Sequence, residues 1–307
     1  MKRSVFAAAV FSLAMCMLSE THAGVLTTIG NTNATALANA LLANGAGGIN
    51  ITSAVLSSNG VGADASSGIF TTSGTNNYGL LGTGAVISTG RASQDGTTGA
   101  FISGVTTAYG LGATTAQTNL LHQVSPGGNF LDVTQLTITF DASATTTQIF
   151  FNTVFASAEY PVYAIANSAF VDGFGLFLNS TNIAFVGGQP VNINNTNFVN
   201  TAFPTNGGVN GTLYQTTPLQ GLLVSGGSAV ITYSGAVTAG STGNTLIFIV
   251  GDKGDASYDT TAFIQGFGNA DPASVNAVPE PATLTMSVIA GICGLGCYGS
   301  RRWKRKA

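Results

Sequence analysis

Residues 136–155 read LTITFDASATTTQIFFNTVF. Leu136 to Asp141 alternates apolar and polar side chains, the period of a strand with one face buried and one solvated. Gln148 to Phe155 is rich in β-branched and aromatic residues, which suit a pleated, packed surface. Similar segments recur at Ile51 to Leu56, Gly84 to Ser88, Phe170 to Leu178, Asn182 to Val186, Ala229 to Tyr233 and Thr245 to Val250, with Gly, Asn and Ser clusters between them. TLIFIVG (residues 245–251) is apolar throughout, which predicts a central strand. TNATALANALLANGAGGINIT (residues 32–52) reads differently: Leu37, Ala40, Leu41 and Leu42 share a face at helical spacing, and glycines from Gly45 to Gly48 end the helix. Many short strands, glycine-rich turns and no recurring strand–helix alternation predict a mainly β fold. The expected architecture is an antiparallel β-sandwich, jelly-roll or immunoglobulin-like, with one short N-terminal helix. No fixed-period repeat supports a solenoid or propeller.

Composition narrows the function. Charged residues make up 7% of the 307-residue chain, against about 25% in ordinary globular proteins. The solvated surface must therefore be built from Thr, Ser, Asn, Gln and Gly. Between Gly24 and Val278 stand two basic residues, Arg91 and Lys253, and ten acidic ones, a net charge of −8. Nucleic acid is excluded as a partner of this region, because its binding depends on Lys and Arg neutralising phosphates. The three cysteines, Cys16, Cys293 and Cys297, all lie in terminal apolar runs. The middle of the chain therefore has no disulfide, thiolate metal site or cysteine nucleophile.

The two ends carry export signals. Lys2 and Arg3 precede an apolar run of 14 residues from Val5 to Leu18, and Thr21-His22-Ala23 ends on a small residue before Gly24. That is the layout of a secretory signal peptide over residues 1–23, cut between Ala23 and Gly24 by signal peptidase after passage through the Sec translocon. At the other end, residues 282–299 are 18 residues without a charge. As a helix they would extend about 27 Å at ~1.5 Å per residue, just enough to cross a hydrocarbon core of about 30 Å. Arg301, Arg302, Lys304, Arg305 and Lys306 would hold that end in the cytoplasm. Four glycines, Gly291, Gly294, Gly296 and Gly299, weaken the span as a permanent anchor. Just before it, Val278-Pro279-Glu280-Pro281 is held extended by its prolines.

This order of short motif, apolar helix and basic tail resembles the PEP-CTERM sorting signal of Gram-negative bacteria. The resemblance covers residues 278–307 and implies processing at the Pro-Glu-Pro motif by an exosortase. It also implies transient inner-membrane anchoring, then delivery to the cell surface or extracellular matrix. The expected organisation is a signal peptide (1–23), a β-domain (24–268), a linker (269–277) and a sorting signal (278–307).

Within the β-domain, carboxylates are scarce but clustered. Glu159 and Asp172 flank the stretch between two apolar strands, in a unit the length of a hairpin. LIFIVGDKGDASYDTTAFIQGFG (residues 246–268) runs an apolar strand into Asp252, Asp255 and Asp259. Oxygen-only clusters in an exported protein suit a hard cation, Ca²⁺ first. One expectation is that Glu159, Asp172, Asp252 and Asp259 converge, with Asp255 nearby, on Ca²⁺. The other is that these acids cap strand ends by accepting backbone N–H bonds, with Lys253 pairing one of them. The spacing is not that of an EF-hand loop.

These stretches resemble the choice-of-anchor L domain, a family whose extracellular domain occurs with different C-terminal anchoring signals. Phe155-Ala156-Ser157, Glu159, Tyr160 and Pro161 follow its Phe-Ala-Ser-Glu-Glu-Tyr pattern, with Ala158 in place of the first glutamate. Asp172 follows its Asn-Asp, with Val171 for the asparagine, and Asn182-Ile183-Ala184 matches throughout. Asp252, Gly254-Asp255 and Asp259-Thr260 follow its closing stretch, with Thr260 for a serine, and GAVISTG (residues 84–90) fits its early strand.

Catalysis finds little support. His122 is the only histidine outside the signal peptide, and no G-x-S-x-G elbow is present. A glycoside hydrolase needs only two carboxylates, for which Glu159 and Asp172 would be the pair. The favoured expectation is a non-catalytic surface or matrix protein acting in exopolysaccharide and biofilm assembly or adhesion. The alternative is a lectin-like module binding carbohydrate or protein with the help of Ca²⁺.

Overall fold

The computed structural model describes residues 26–42, 47–72, 80, 82–94, 106–160, 163–165, 168–198, 223, 225 and 228–270. The chain divides into two units, Met1–Pro272 and Ala273–Ala307. The signal-peptide cleavage site, the Val278–Pro281 motif, the span at 282–299 and the basic tail all lie outside the described residues. Among the described residues, no helix is long and apolar enough to cross a membrane.

Strands dominate the first unit. In chain order they are β1 (Leu26–Gly30), β2 (Ile49–Ser57), β3 (Ser67–Thr72), β4 (Thr83–Ser88), β5 (Phe130–Ala142), β6 (Gln148–Ser157) and β7 (Gly173–Leu178). Then follow β8 (Thr181–Asn182), β9 (Phe185–Val186), β10 (Gln189–Pro190), β11 (Val230–Ala236), β12 (Asn244–Lys253) and β13 (Thr260–Gly268). A six-stranded sheet has the order β1-β3-β4-β13-β6-β11, and a five-stranded sheet the order β2-β5-β12-β7-β8. All pairings are antiparallel. These sheets exceed the roughly seven to nine strands of an immunoglobulin sandwich.

The two sheets face each other across one core. Phe151 of β6 meets Phe248 of β12 edge-on with ring centroids 5.4 Å apart, Phe140 of β5 meets Phe267 of β13 at 5.2 Å, and Phe155 stacks near Phe174 at 6.3 Å. Such pairs contribute about 0.5–1.5 kcal/mol each beyond their area burial. Helix α1 (Ala34–Leu42) adds Leu37, Ala38 and Leu41 to the same core. A second helix, α2 (Thr115–Leu121), opens on a Thr114–Gln117 capping box and covers the outer face of the five-stranded sheet through Leu121.

The alternation in β5 has its expected consequence. Leu136, Ile138 and Phe140 are buried, while Thr137 and Thr139 are only half-buried. β12 is central, between β5 and β7. The segment expected as one strand from Asn182 to Val186 is two two-residue strands. The hairpin-length unit holding Glu159 and Asp172 is not a hairpin: β6 lies in the six-stranded sheet and β7 in the five-stranded one. The connection between them crosses from sheet to sheet, because the inward face of each strand belongs to the shared core.

Candidate functional site: a buried carboxyl cluster between the sheets

The period of two that builds the core also builds the site. On β12 the inward row is Leu246, Phe248 and Val250, and on β7 it is Phe174, Leu176 and Leu178. Asp252 and Asp172 each lie two residues beyond such a row. On the opposing sheet, Ala85 and Ile87 of β4 lead to Thr89, Ile264 and Ala262 of β13 lead back to Thr260, and Phe155 of β6 leads through Ser157 toward Glu159. Where the apolar rows stop, hydroxyls and carboxyls from both sheets take over at one end of the core.

All of these groups are buried. Glu159 is 1% exposed, Asp172 0% and Asp252 2%. Asp172 is well supplied with donors: Oδ1 accepts from the Lys253 backbone N–H at 2.9 Å, and Oδ2 from the Thr260 hydroxyl at 2.6 Å. Glu159 stands within hydrogen-bonding reach of Asp172, yet its Oε2 has no partner. Neither oxygen of Asp252 has one. The Thr89 hydroxyl accepts from the Thr260 N–H at 2.9 Å and stands close enough to Asp252 to oppose part of its shift.

Burial and mutual repulsion set the protonation of this group. Burial, then the charges of Asp172 and Asp255, pushes the Glu159 carboxyl far above the usual carboxylate range. Burial also raises Asp172, against the opposing effect of its bonds from Thr260 and Lys253. Asp252 is raised well above its ordinary value by burial and by the charge of Asp172. Burial and the neighbouring acids thus favour the protonated form of Glu159.

Asp259 is oriented differently. As the neighbour of inward-facing Thr260 it turns toward Gly90, where a side chain would collide with its carboxylate, and Oδ1 accepts from the Thr107 N–H at 3.0 Å. Burial lifts it to about 6, with the Thr107 bond opposing. Asp255 is half-buried in the β12–β13 loop, where Oδ1 accepts from the Ser257 N–H at 3.0 Å. Lys253 does not pair with an acid: its Nζ donates to the Pro126 carbonyl at 2.8 Å. His122 is held at the surface by Gly128, with Nε2 3.1 Å from its carbonyl oxygen.

One acid absent from the sequence-based reading proves structurally prominent. β5 carries an extra residue opposite Val250–Asp252, and Asp132 sits in that bulge with φ 50°. Its carboxylate accepts from the N–H groups of Tyr109 (2.8 Å), Gly110 (3.2 Å) and Leu111 (2.8 Å), pinning that loop. The available signal was a charged residue interrupting the apolar run FLDV (residues 130–133).

The arrangement does not suit glycoside hydrolysis. The carboxyls of such enzymes stand about 5–9.5 Å apart around an accessible bond, whereas Glu159 and Asp172 are in mutual hydrogen-bonding reach and buried. As the side chains stand, no group of three or more His, Cys, Asp or Glu among the described residues is arranged to hold a metal ion.

No curated protein and no solved structure matches the chain. Residues 26–268 match the choice-of-anchor L domain, a family not known as catalytic and found on surface-anchored proteins of the cell exterior. With this match spanning most of its length, the chain belongs to the choice-of-anchor L domain family.

Proposed function

We propose that this is an exported, non-catalytic protein, sorted by an exosortase through residues 278–307 and acting in exopolysaccharide or biofilm matrix or in adhesion. The observation that carries this reading is the joining of a choice-of-anchor L domain over residues 26–268 to a chain end with the order Pro-Glu-Pro, uncharged run and basic tail. A surface-anchored domain needs a route out and a means of attachment, and the two chain ends supply both. Signal peptidase and the Sec translocon handle the first 23 residues. The basic tail then holds the chain transiently in the inner membrane until the exosortase acts near Val278–Pro281. The exposed surface, rich in hydroxyl and amide groups and poor in charge, suits hydrogen bonding to hydrated polysaccharide.

Intact-mass analysis of the protein recovered from cells and from the culture matrix tests this reading. A matrix form that starts at Gly24 and ends within or next to Val278–Pro281 is the expected result. A membrane-bound form running through Ala307, with no shorter form outside the cell, would contradict it.

A further inference from the structure

We propose that Glu159, Asp172 and Asp252 form a divalent-cation site between the two sheets, with Ca²⁺ as the fitting ion. The inference rests on the side chains of the β-domain alone and not on the sorting route. Three buried carboxyls from three strand ends share this space, and three of their six oxygens have no hydrogen-bond partner: Glu159 Oε2 and both oxygens of Asp252. A buried charged oxygen without a partner is costly, so such groups are found paired or coordinating metal.

Neither of the two basic residues among the described residues supplies them a counter-charge. Lys253 spends its ammonium on Pro126, and Arg91 pairs with Asp64, Nε to Oδ1 at 2.9 Å. The groups around the three acids are Ser157 at the end of β6, Thr89 after β4 and Thr260 on β13, with the charges of Asp255 and Asp259 near enough to be felt. Every one is an oxygen donor, and none is a nitrogen or sulfur ligand. A hard cation that takes about six to eight oxygens is what this chemistry accommodates. Since the carboxyls are not yet gathered about one centre, binding entails rotation of Asp252 toward Glu159 and Asp172.

The test is thermal unfolding and calorimetry of the full chain at pH 5 and pH 8, with chelator, with Ca²⁺ and with Mg²⁺. At pH 8, about 5 mM Ca²⁺ should raise the melting temperature by about 5 °C or more, with a smaller rise at pH 5, where protons compete. Asp252→Asn and Glu159→Gln are each near-isosteric with the protonated acid, and each should abolish the Ca²⁺ response while remaining folded in chelator. No shift at either pH overturns the proposal and leaves the cluster held by protons. An equal shift in both variants overturns it too, because the ion then binds elsewhere. Either failure leaves the sorting reading intact, since intact mass does not depend on the cluster.

Discussion

Asp132 and Asp252 are buried aspartates on neighbouring strands, at 0% and 2% exposure, and the fold accommodates them in opposite ways. Asp132 occupies the bulge of β5 and collects three backbone N–H donors. Asp252, across the pair on β12, collects none. A carboxylate surrounded by donors is a structural element: it replaces water with fixed N–H groups and fastens a loop. A carboxylate with no donor, facing two more carboxyls, is a liability unless something outside the protein neutralises it. Burial alone does not separate the two roles, whereas the count of donors does.

The largest expected effect that sharpens this contrast is the pH dependence of the cluster side. Asp259 sits at about 6 in the folded chain against an ordinary 3.8, so the folded state binds its proton more tightly than the unfolded state. Its contribution is fully present below about pH 4 and is lost as pH rises through about 6, a span of roughly 3 kcal/mol. Asp252 and Glu159 are raised in the same direction, so the loss continues above pH 6. Urea unfolding in chelator should therefore show stability declining from pH 4 to pH 8. A profile that rises over that range would contradict the idea of a cluster lacking a counter-charge.

Next in size is Asp132→Ala, expected to cost about 2–4 kcal/mol, because three N–H groups lose their acceptor together. Denaturant titration reads this directly, and a loss below about 1 kcal/mol would break the structural half of the comparison. Asp252→Asn should do the reverse in chelator at pH 8, raising stability by about 1–2 kcal/mol, since it deletes a buried acid with nothing to pair with. Smallest is Lys253→Ala. Its ammonium caps a carbonyl and not an acid, so unfolding should shift by less than about 0.5 kcal/mol. A loss of several kcal/mol would restore the reading in which Lys253 neutralises the cluster.

Much of this architecture was legible as a period of two. LTITFD and TLIFIVG declared a half-buried strand and a central one, and the helix at Leu37 to Leu42 showed itself by spacing. What was less legible has physical reasons. β13 escaped separate notice because TTAFIQGFG (residues 260–268) is buried on both faces and carries no alternation. α2 is only seven residues long, and its main mark is the Thr114–Gln117 capping box. The nearness of Glu159 and Asp172 in sequence suggested a hairpin, but a chain crossing between sheets has the same local pattern. The site was half legible. Asp172 and Asp252 stand two residues past inward apolar rows, so parity aims them into the core. Parity likewise turns Asp259 away, because Thr260 is the inward neighbour. Asp132 was hidden because a bulge resets the period, and no local sequence rule announces where that happens.

The central claim is that the Glu159–Asp172–Asp252 cluster is completed from outside the chain. Its most direct test is the calcium bound by the protein at pH 8 in equilibrium dialysis against about 5 mM Ca²⁺, measured by mass spectrometry of the elements as the excess over the dialysate. The account predicts about one Ca²⁺ per chain, falling to background in Asp252→Asn. Background calcium in the unaltered protein, or equal calcium in the variant, would contradict it.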